Sequence, residues 1–281
     1  MIKKCRDLLV NRLLFKKILS NKMETRNLDL LAIAFFYGSN IPVEYFPPNT
    51  RLVIEAEAVT QLSDFSKKGI LPFAYVSMGE AESWRAATQA LPDEWFFGTN
   101  DAWQSRIADF THPDWRRFII EDRIDKLWKL GFKGIFLDTL DSYKLKIKEP
   151  ALLLQQKNAL ISLIKTIHKR FPKLKILVNR GFDLMPDIHP IVTGVVAESL
   201  LQSWDPISKC YTKVGENDHL WLLNQLRQIK SRYHLPVTVI DYVDPEQKDL
   251  ARQTARRIES LGFGAWISTP SLDSLNLGVA A

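Results

Sequence analysis

The 281-residue sequence predicts an α/β protein: a single (β/α)8 barrel of the TIM type with a long aromatic-rich loop after its third strand. Three observations carry this. Eight short apolar runs without polar alternation recur along the chain, the pattern of strands buried on both faces of a parallel sheet. Most of them are separated by helix-like amphipathic segments. Acids, amides and tyrosines stand where the runs end, the place where such folds present chemistry. An open doubly wound sheet is the rival architecture, but eight strands close a barrel and no G-x-G-x-x-G marks a nucleotide crevice.

Residues 1–28 hold eight Lys/Arg against two Asp/Glu, so this segment alone accounts for the formal charge of +6 and residues 29–281, the expected barrel domain, are near neutral. A basic tail or helix on a neutral body is a weak footprint for nucleic acid, and no nucleic-acid partner is expected. Its apolar positions, from Leu8 to Leu19, follow helix spacing, but Arg12, Lys16 and Lys17 interrupt any long apolar core, so no standard secretory signal is visible. No stretch reaches the roughly 20 apolar residues of a membrane span. Two cysteines and five scattered histidines form neither a disulfide framework nor a metal-ligand spacing.

The first strand is read over Leu30–Tyr37 and the second over Arg51–Glu55, after a link in which Pro42, Pro47 and Pro48 oppose a long helix. A helix pattern over Val59–Lys68 stops at Gly69. The third strand is Leu71–Ser77. Residues 80–112 form the long insertion, with Trp84, Trp95, Trp103 and Phe96-Phe97, an aromatic content that opposes disorder. A helix runs from Pro113 to Leu130, with proline at its start and Gly131 at its stop. Gly134–Leu137 is the fourth strand and Glu149–Arg170 a long amphipathic helix. Leu174–Val178 is the fifth strand, followed by a short helical piece near Asp183–Ile188. Gly194–Ala197 is the sixth strand, and Leu201–Gly215 a loop carrying Trp204 and Tyr211. A helix over Asn217–Tyr233, the seventh strand Pro236–Ile240, a helix over Pro245–Leu261 and the eighth strand Gly264–Ser268 complete the series.

In a barrel these strand ends face one mouth, offering Tyr37, Glu55, Glu80, Asp138, Asp141, Tyr143, Asn179, Arg180, Glu198, Asp241 and Tyr242. One acid after a strand is often only a helix cap; two acids and a tyrosine together after Leu137 are harder to explain so. The mouth is acidic, with Arg180 its one obvious cation, and the insertion brings tryptophans to it. Acids beside aromatic platforms equip a carbohydrate site: rings stack on sugar faces, and two carboxyls flank a glycosidic bond. Asp138 and Glu198, ending the fourth and sixth strands, are the best pair. The structural alternative for Glu198 is an ion pair with Arg180.

The stretches FAYVSMGE, Asn100-Asp101 with Trp103, HPDWRRF, GFKGIFLDTLDSY and GVVAESL occur in this order. Together they resemble the endo-α-1,4-polygalactosaminidase family of glycoside hydrolases, over roughly Leu30 to Ser268. The resemblance implies a barrel that cleaves internal α-1,4 linkages in galactosamine or N-acetylgalactosamine polysaccharide, without metal or organic cofactor. Its essential acids fall on Asp138, with Asp141 close by, and on Glu198. Asp138 is preferred over Asp141 because it follows the strand directly; the sequence leaves that choice open. Tyr37, Glu80, Asn100, Trp103, Asp141, Tyr143, Asn179, Arg180, Asp241 and Tyr242 are the expected substrate contacts. No deacetylase domain of the kind carried by related bacterial exopolysaccharide proteins is expected after the eighth strand, and the implied polymer points to a periplasmic or extracellular setting. A non-catalytic carbohydrate-binding barrel is the alternative reading. The sequence is silent on oligomeric state.

Overall fold

The computed structural model describes residues 33–59 and 61–279. The basic segment 1–28 and the start of the first expected strand lie outside the described residues. Eight parallel strands form one sheet, in the order β1 (Ile33–Phe36), β2 (Arg51–Ile54), β3 (Leu71–Ser77), β7 (Gly134–Asp138), β8 (Lys175–Asn179), β9 (Gly194–Glu198), β12 (Val237–Tyr242) and β13 (Gly264–Ser268). The sheet curls until its ends nearly meet. At that seam the Phe35 and Trp266 rings pack edge to face at 6.2 Å. The Tyr37 N–H donates to the carbonyl of Leu272 at 2.7 Å.

The strands are buried because β-branched and aromatic residues pack on both of their faces, and the central residues of β2, β7, β8 and β9 are almost entirely solvent-free. Gly134 begins β7 because an added Cβ would stand 2.2 Å from the Phe73 ring on the paired strand. Around the barrel lie α1 (Ser63–Lys67), α2 (113–130), α3 (Pro150–Arg170), α4 (Glu216–Tyr233) and α5 (Lys248–Ser260). Helix α2 opens with Pro113 behind a His112 cap, passes through a π-helical stretch at Phe118–Ile124, and ends at left-handed Gly131. Leu160, Ile164 and Ile167 give α3 its buried stripe. Among the described residues, no helix is long and apolar enough to cross a membrane.

Several expectations are corrected. The helix read over Val59–Lys68 shrinks to α1, since Val59, Gln61 and Leu62 lie outside any helix. The insertion at 80–112 is a small antiparallel sheet of β4 (Glu80–Glu82), β5 (Phe96–Asn100) and β6 (Ser105–Ala108), with β6 central. Its aromatics supply the packing, with Phe96 against Trp115 at 5.6 Å and Arg106 over the Phe96 ring at 4.1 Å. The loop at Leu201–Gly215 is likewise a hairpin, β10 (Gln202–Asp205) and β11 (Cys210–Lys213), closed by a Trp204–Tyr211 ring contact.

Candidate active site

A hydrogen-bonded chain of five side chains crosses five adjacent strands at the C-terminal mouth. The Tyr75 hydroxyl of β3 donates to Asp138 Oδ2 of β7 at 3.0 Å. Asn179 Nδ2 of β8 donates both to Asp138 Oδ1 and to Glu198 Oε1 of β9, each at 2.8 Å. The Tyr242 hydroxyl of β12 donates to Glu198 Oε2 at 2.5 Å. Parallel pairing sets Tyr75 beside Phe136, Asn179 beside Val196 and Glu198 beside Ile240, so Asp138, Glu198 and Tyr242 each stand two residues beyond those partners. Alternation then sends Phe136 and Asp138, and Ile240 and Tyr242, to the same inner face.

Two oxygens that share one amide nitrogen at 2.8 Å lie within about 5.6 Å of each other, and near 5 Å if each takes one amide hydrogen. Burial first, and then the charge of Glu198, push the pKa of Asp138 up to about 6, against the lowering effect of the donors from Asn179, Thr139 and Tyr75. Burial also raises Tyr75 and Tyr242, with the neighbouring carboxylates adding to it, so both phenols remain protonated donors. Tyr37 is raised for the same reasons and packs edge to face on Tyr75 at 5.5 Å.

The residues that follow the three central carriers, Thr139, Arg180 and Ser199, all take left-handed backbone conformations, with φ of 58°, 53° and 63°. None is glycine, and such a turn is unusual for a β-branched threonine. Thr139 is held there by its own hydroxyl, which accepts from the Gly79 N–H at 2.8 Å and donates to the Asp138 carbonyl at 2.7 Å. Gly79 permits that approach, since a Cβ there would stand 2.2 Å from the Thr139 carbonyl oxygen. The Ser199 N–H is tied to Ile240 and the Arg180 N–H to Val196.

The chain of five lies in a cleft of about 790 Å³. Trp84 and Trp103, each more than half exposed, stand on the insertion side and Trp204 on the hairpin side. Asn100, Asp141 and Arg180 also line it. Asp141 is exposed, and among the described residues its carboxylate has neither a hydrogen bond nor an ion pair. Glu80 reaches the cleft but is buried, its carboxylate taken by Asn100 at 3.1 Å and by the Ser105 and Ser142 hydroxyls.

The mouth holds more cations than Arg180. Lys144 pairs with Asp183 at 3.1 Å. Arg85 is buried, clasps Glu55 at 2.6 and 2.8 Å, reaches Glu57 and Glu82, and lies 4.2 Å from the Trp84 ring. Arg180 does not neutralise Glu198: its guanidinium donates to the Glu198 backbone carbonyl at 3.2 Å. Two expected contacts lie off the cleft. Asp241 is fully buried on the opposite face of β12 from Tyr242, where it accepts the N–H groups of Leu200, Leu201 and Gln202 at 2.7, 2.8 and 2.7 Å. It anchors the turn after Glu198, and burial pushes its pKa up to about 6 against those three donors. Tyr143 is buried against Phe110, with ring centroids 6.0 Å apart.

The sequence profile of glycoside-hydrolase family GH114 matches residues 31–279. The chain belongs to glycoside hydrolase family GH114. Its structure is similar to that of the glycoside hydrolase domain of PelA from Pseudomonas aeruginosa, with 33% identity, a TM-score of 0.78, and coverage of 87% of this chain and 96% of that domain. Aspergillus fumigatus Ega3, solved in complex with galactosamine, shares the fold at 19% identity and a TM-score of 0.59, over 86% of this chain and 92% of that one. An uncharacterized protein of Thermotoga maritima is 24% identical over 216 residues, which are 72% of this chain and 60% of that protein. The GH114 chain thus spans less than two thirds of the length of that curated relative.

Within this GH114 site, sequence reasoning missed Tyr75, Glu82 and Arg85. Tyr75 sits inside an apolar strand and reads as core. The signal that could have found it is parity, because Tyr75 and Ser77 alternate with Ala74 and Val76, which are buried. Arg85 lies in the insertion, where the aromatics, Glu80 and Asn100 drew notice instead.

Proposed function

We propose that the protein is an endo-acting, retaining glycoside hydrolase that cleaves α-1,4 linkages in galactosamine or N-acetylgalactosamine polysaccharide. The observation that carries this reading is the Asp138–Asn179–Glu198 bridge inside an aromatic-lined cleft. Carboxyls of a retaining pair stand ~5–5.5 Å apart and those of an inverting pair ~6.5–9.5 Å, so the bridged spacing supports retention. The substrate class comes by analogy with the relatives, and the excess of cleft carboxylates suits a cationic amino sugar.

In this mechanism Asp138 is the nucleophile. It is short, fixed at its strand end and held by Tyr75 and Asn179, which favours a rigid ionised carboxylate over the exposed Asp141. Glu198 gives its proton to the glycosidic oxygen as that bond breaks, while Asp138 attacks the anomeric carbon and forms a glycosyl ester. Glu198 then takes a proton from water, the water oxygen displaces Asp138, and the anomeric configuration is restored. Asp138 must be ionised to attack, and with its pKa pushed up to about 6 it is so above that pH. Asp141 meets a substrate ammonium group, and Trp84, Trp103 and Trp204, on both sides of the acids, hold a chain that passes through the cleft, as internal cleavage needs.

The test is to incubate the protein, Asp138→Asn and Glu198→Gln with defined α-1,4-galactosamine oligomers and to read products by mass spectrometry. Wild type should shorten the oligomers and each variant should lose at least about 10³-fold in rate. Full activity in either variant removes the assignment, and binding without cleavage by wild type leaves a carbohydrate-binding barrel.

A further inference from the structure

A smaller cavity of about 320 Å³ opens beside the cleft, next to the β10–β11 hairpin. The two share Arg180 and Ser199, the residues that directly follow Asn179 and Glu198. Beyond these, the smaller cavity is walled by Trp221, Asp218, Ser203 and Thr212. Its size is at the low end of ligand pockets, suited to a single small unit.

Trp221 sets this cavity apart. Helix α4 buries Leu222, Leu223, Leu226 and Ile229 against the barrel, yet Trp221 remains 50% exposed. So large an aromatic is usually mostly covered, and one left open beside a cavity is a contact surface in waiting. Phe182, from the turn after β8, meets the indole edge to face at 5.9 Å and fixes its plane. The turn that carries Arg180 toward the acids therefore also leads into the residue that orients Trp221.

We infer that this side cavity is a distal sugar subsite, reached from the cleft across Arg180 and Ser199, in which Trp221 stacks on one further ring of the polymer. Ser203, Thr212 and Asp218 supply hydroxyl and carboxylate partners for that ring's hydroxyl and amino groups. The row of aromatic platforms then runs from Trp84 and Trp103, past the acid pair, to Trp204 and Trp221. This rests on the glycosidase reading above and adds a length preference to it: oligomers long enough to reach Trp221 are better substrates than those that end in the cleft.

The experiment compares kcat/KM on a short and a long α-1,4-galactosamine oligomer for wild type, Trp221→Ala and Thr212→Trp. Thr212→Trp fills the cavity from an exposed hairpin position and leaves the α4 packing untouched, so it serves if Trp221→Ala melts early. The long-to-short ratio should fall roughly tenfold in both variants, the loss of one aromatic contact. A ratio unchanged from wild type in Thr212→Trp overturns the subsite while leaving the glycosidase standing. A wild type that cuts neither oligomer overturns both.

Discussion

Asn179 is the test of how the acid pair is tuned. Its single amide group donates to both carboxylates, so replacing it with leucine, close in volume, removes two charge-assisted hydrogen bonds at once. The direction of the effect is set by what opposes it. Burial and Glu198 raise Asp138 to about 6, and the Asn179 hydrogen bond pulls it down. Without that donor the Asp138 carboxylate is less favourable and its proton is held to higher pH. A hydrogen bond to a charged group contributes about 1.5–3 kcal/mol, and one pKa unit is about 1.4 kcal/mol, so the shift should be about one to two units upward. Wild-type activity should rise as pH rises through about 6, because below it Asp138 is protonated and cannot attack. In Asn179→Leu the acid limb of kcat/KM moves up, while the rate at its optimum drops about 10²-fold because the carboxyls lose their fixed spacing. If turnover is too slow to profile, carbon-13 NMR titration of the Asp138 carboxyl reads the same quantity. A limb that stays in place or moves down refutes the argument.

Asp241→Ala leaves three N–H groups, one buried and two partly buried, without their acceptor and should cost about 3–5 kcal/mol in urea unfolding, with activity falling because the turn after Glu198 loosens. Asp241→Asn, which keeps an accepting oxygen, should cost less than half of that; equal losses would show that the carboxylate's acceptor role is not what matters. Asp138 is raised in the folded state, so the native protein holds its proton more firmly than the unfolded chain does between about pH 4 and 6, and stability from this group is lost as pH rises through that window. Asp138→Asn escapes the loss and should melt higher than wild type at pH 7, by up to about 3 kcal/mol, with the advantage vanishing near pH 4. A pH-independent difference in stability would contradict the raised value.

The parallel sheet was legible because strands buried on both faces must be apolar throughout, as Gly134–Leu137 and Gly194–Ala197 are, and the count of eight favoured a barrel over an open sheet. Asp138 and Glu198 were readable as residues of the mouth from position, since they close such runs. What position cannot tell is which face a terminal residue takes. Asp241 and Tyr242 are neighbours at the end of β12, and only the pleat decides that Tyr242 faces the cleft and Asp241 the turn behind it. The same parity brings Tyr75 inward. The insertion was misread as a loop because its strands are three to five residues long, too short for alternation to register. Arg85 was invisible for a different reason: its partners Glu55, Glu57 and Glu82 come from two separate segments, and only folding brings them around one guanidinium.

The left-handed turns at Thr139, Arg180 and Ser199 bear on anyone who would graft this site onto another eight-stranded scaffold. Copying the two acids and their amide would transfer the chemistry's ingredients but not their aim, because the chain must leave each of three neighbouring strands by the same uncommon bend. The portable unit is therefore larger than its side chains: three consecutive strand exits, with Gly79 and the anchoring Asp241 beneath them.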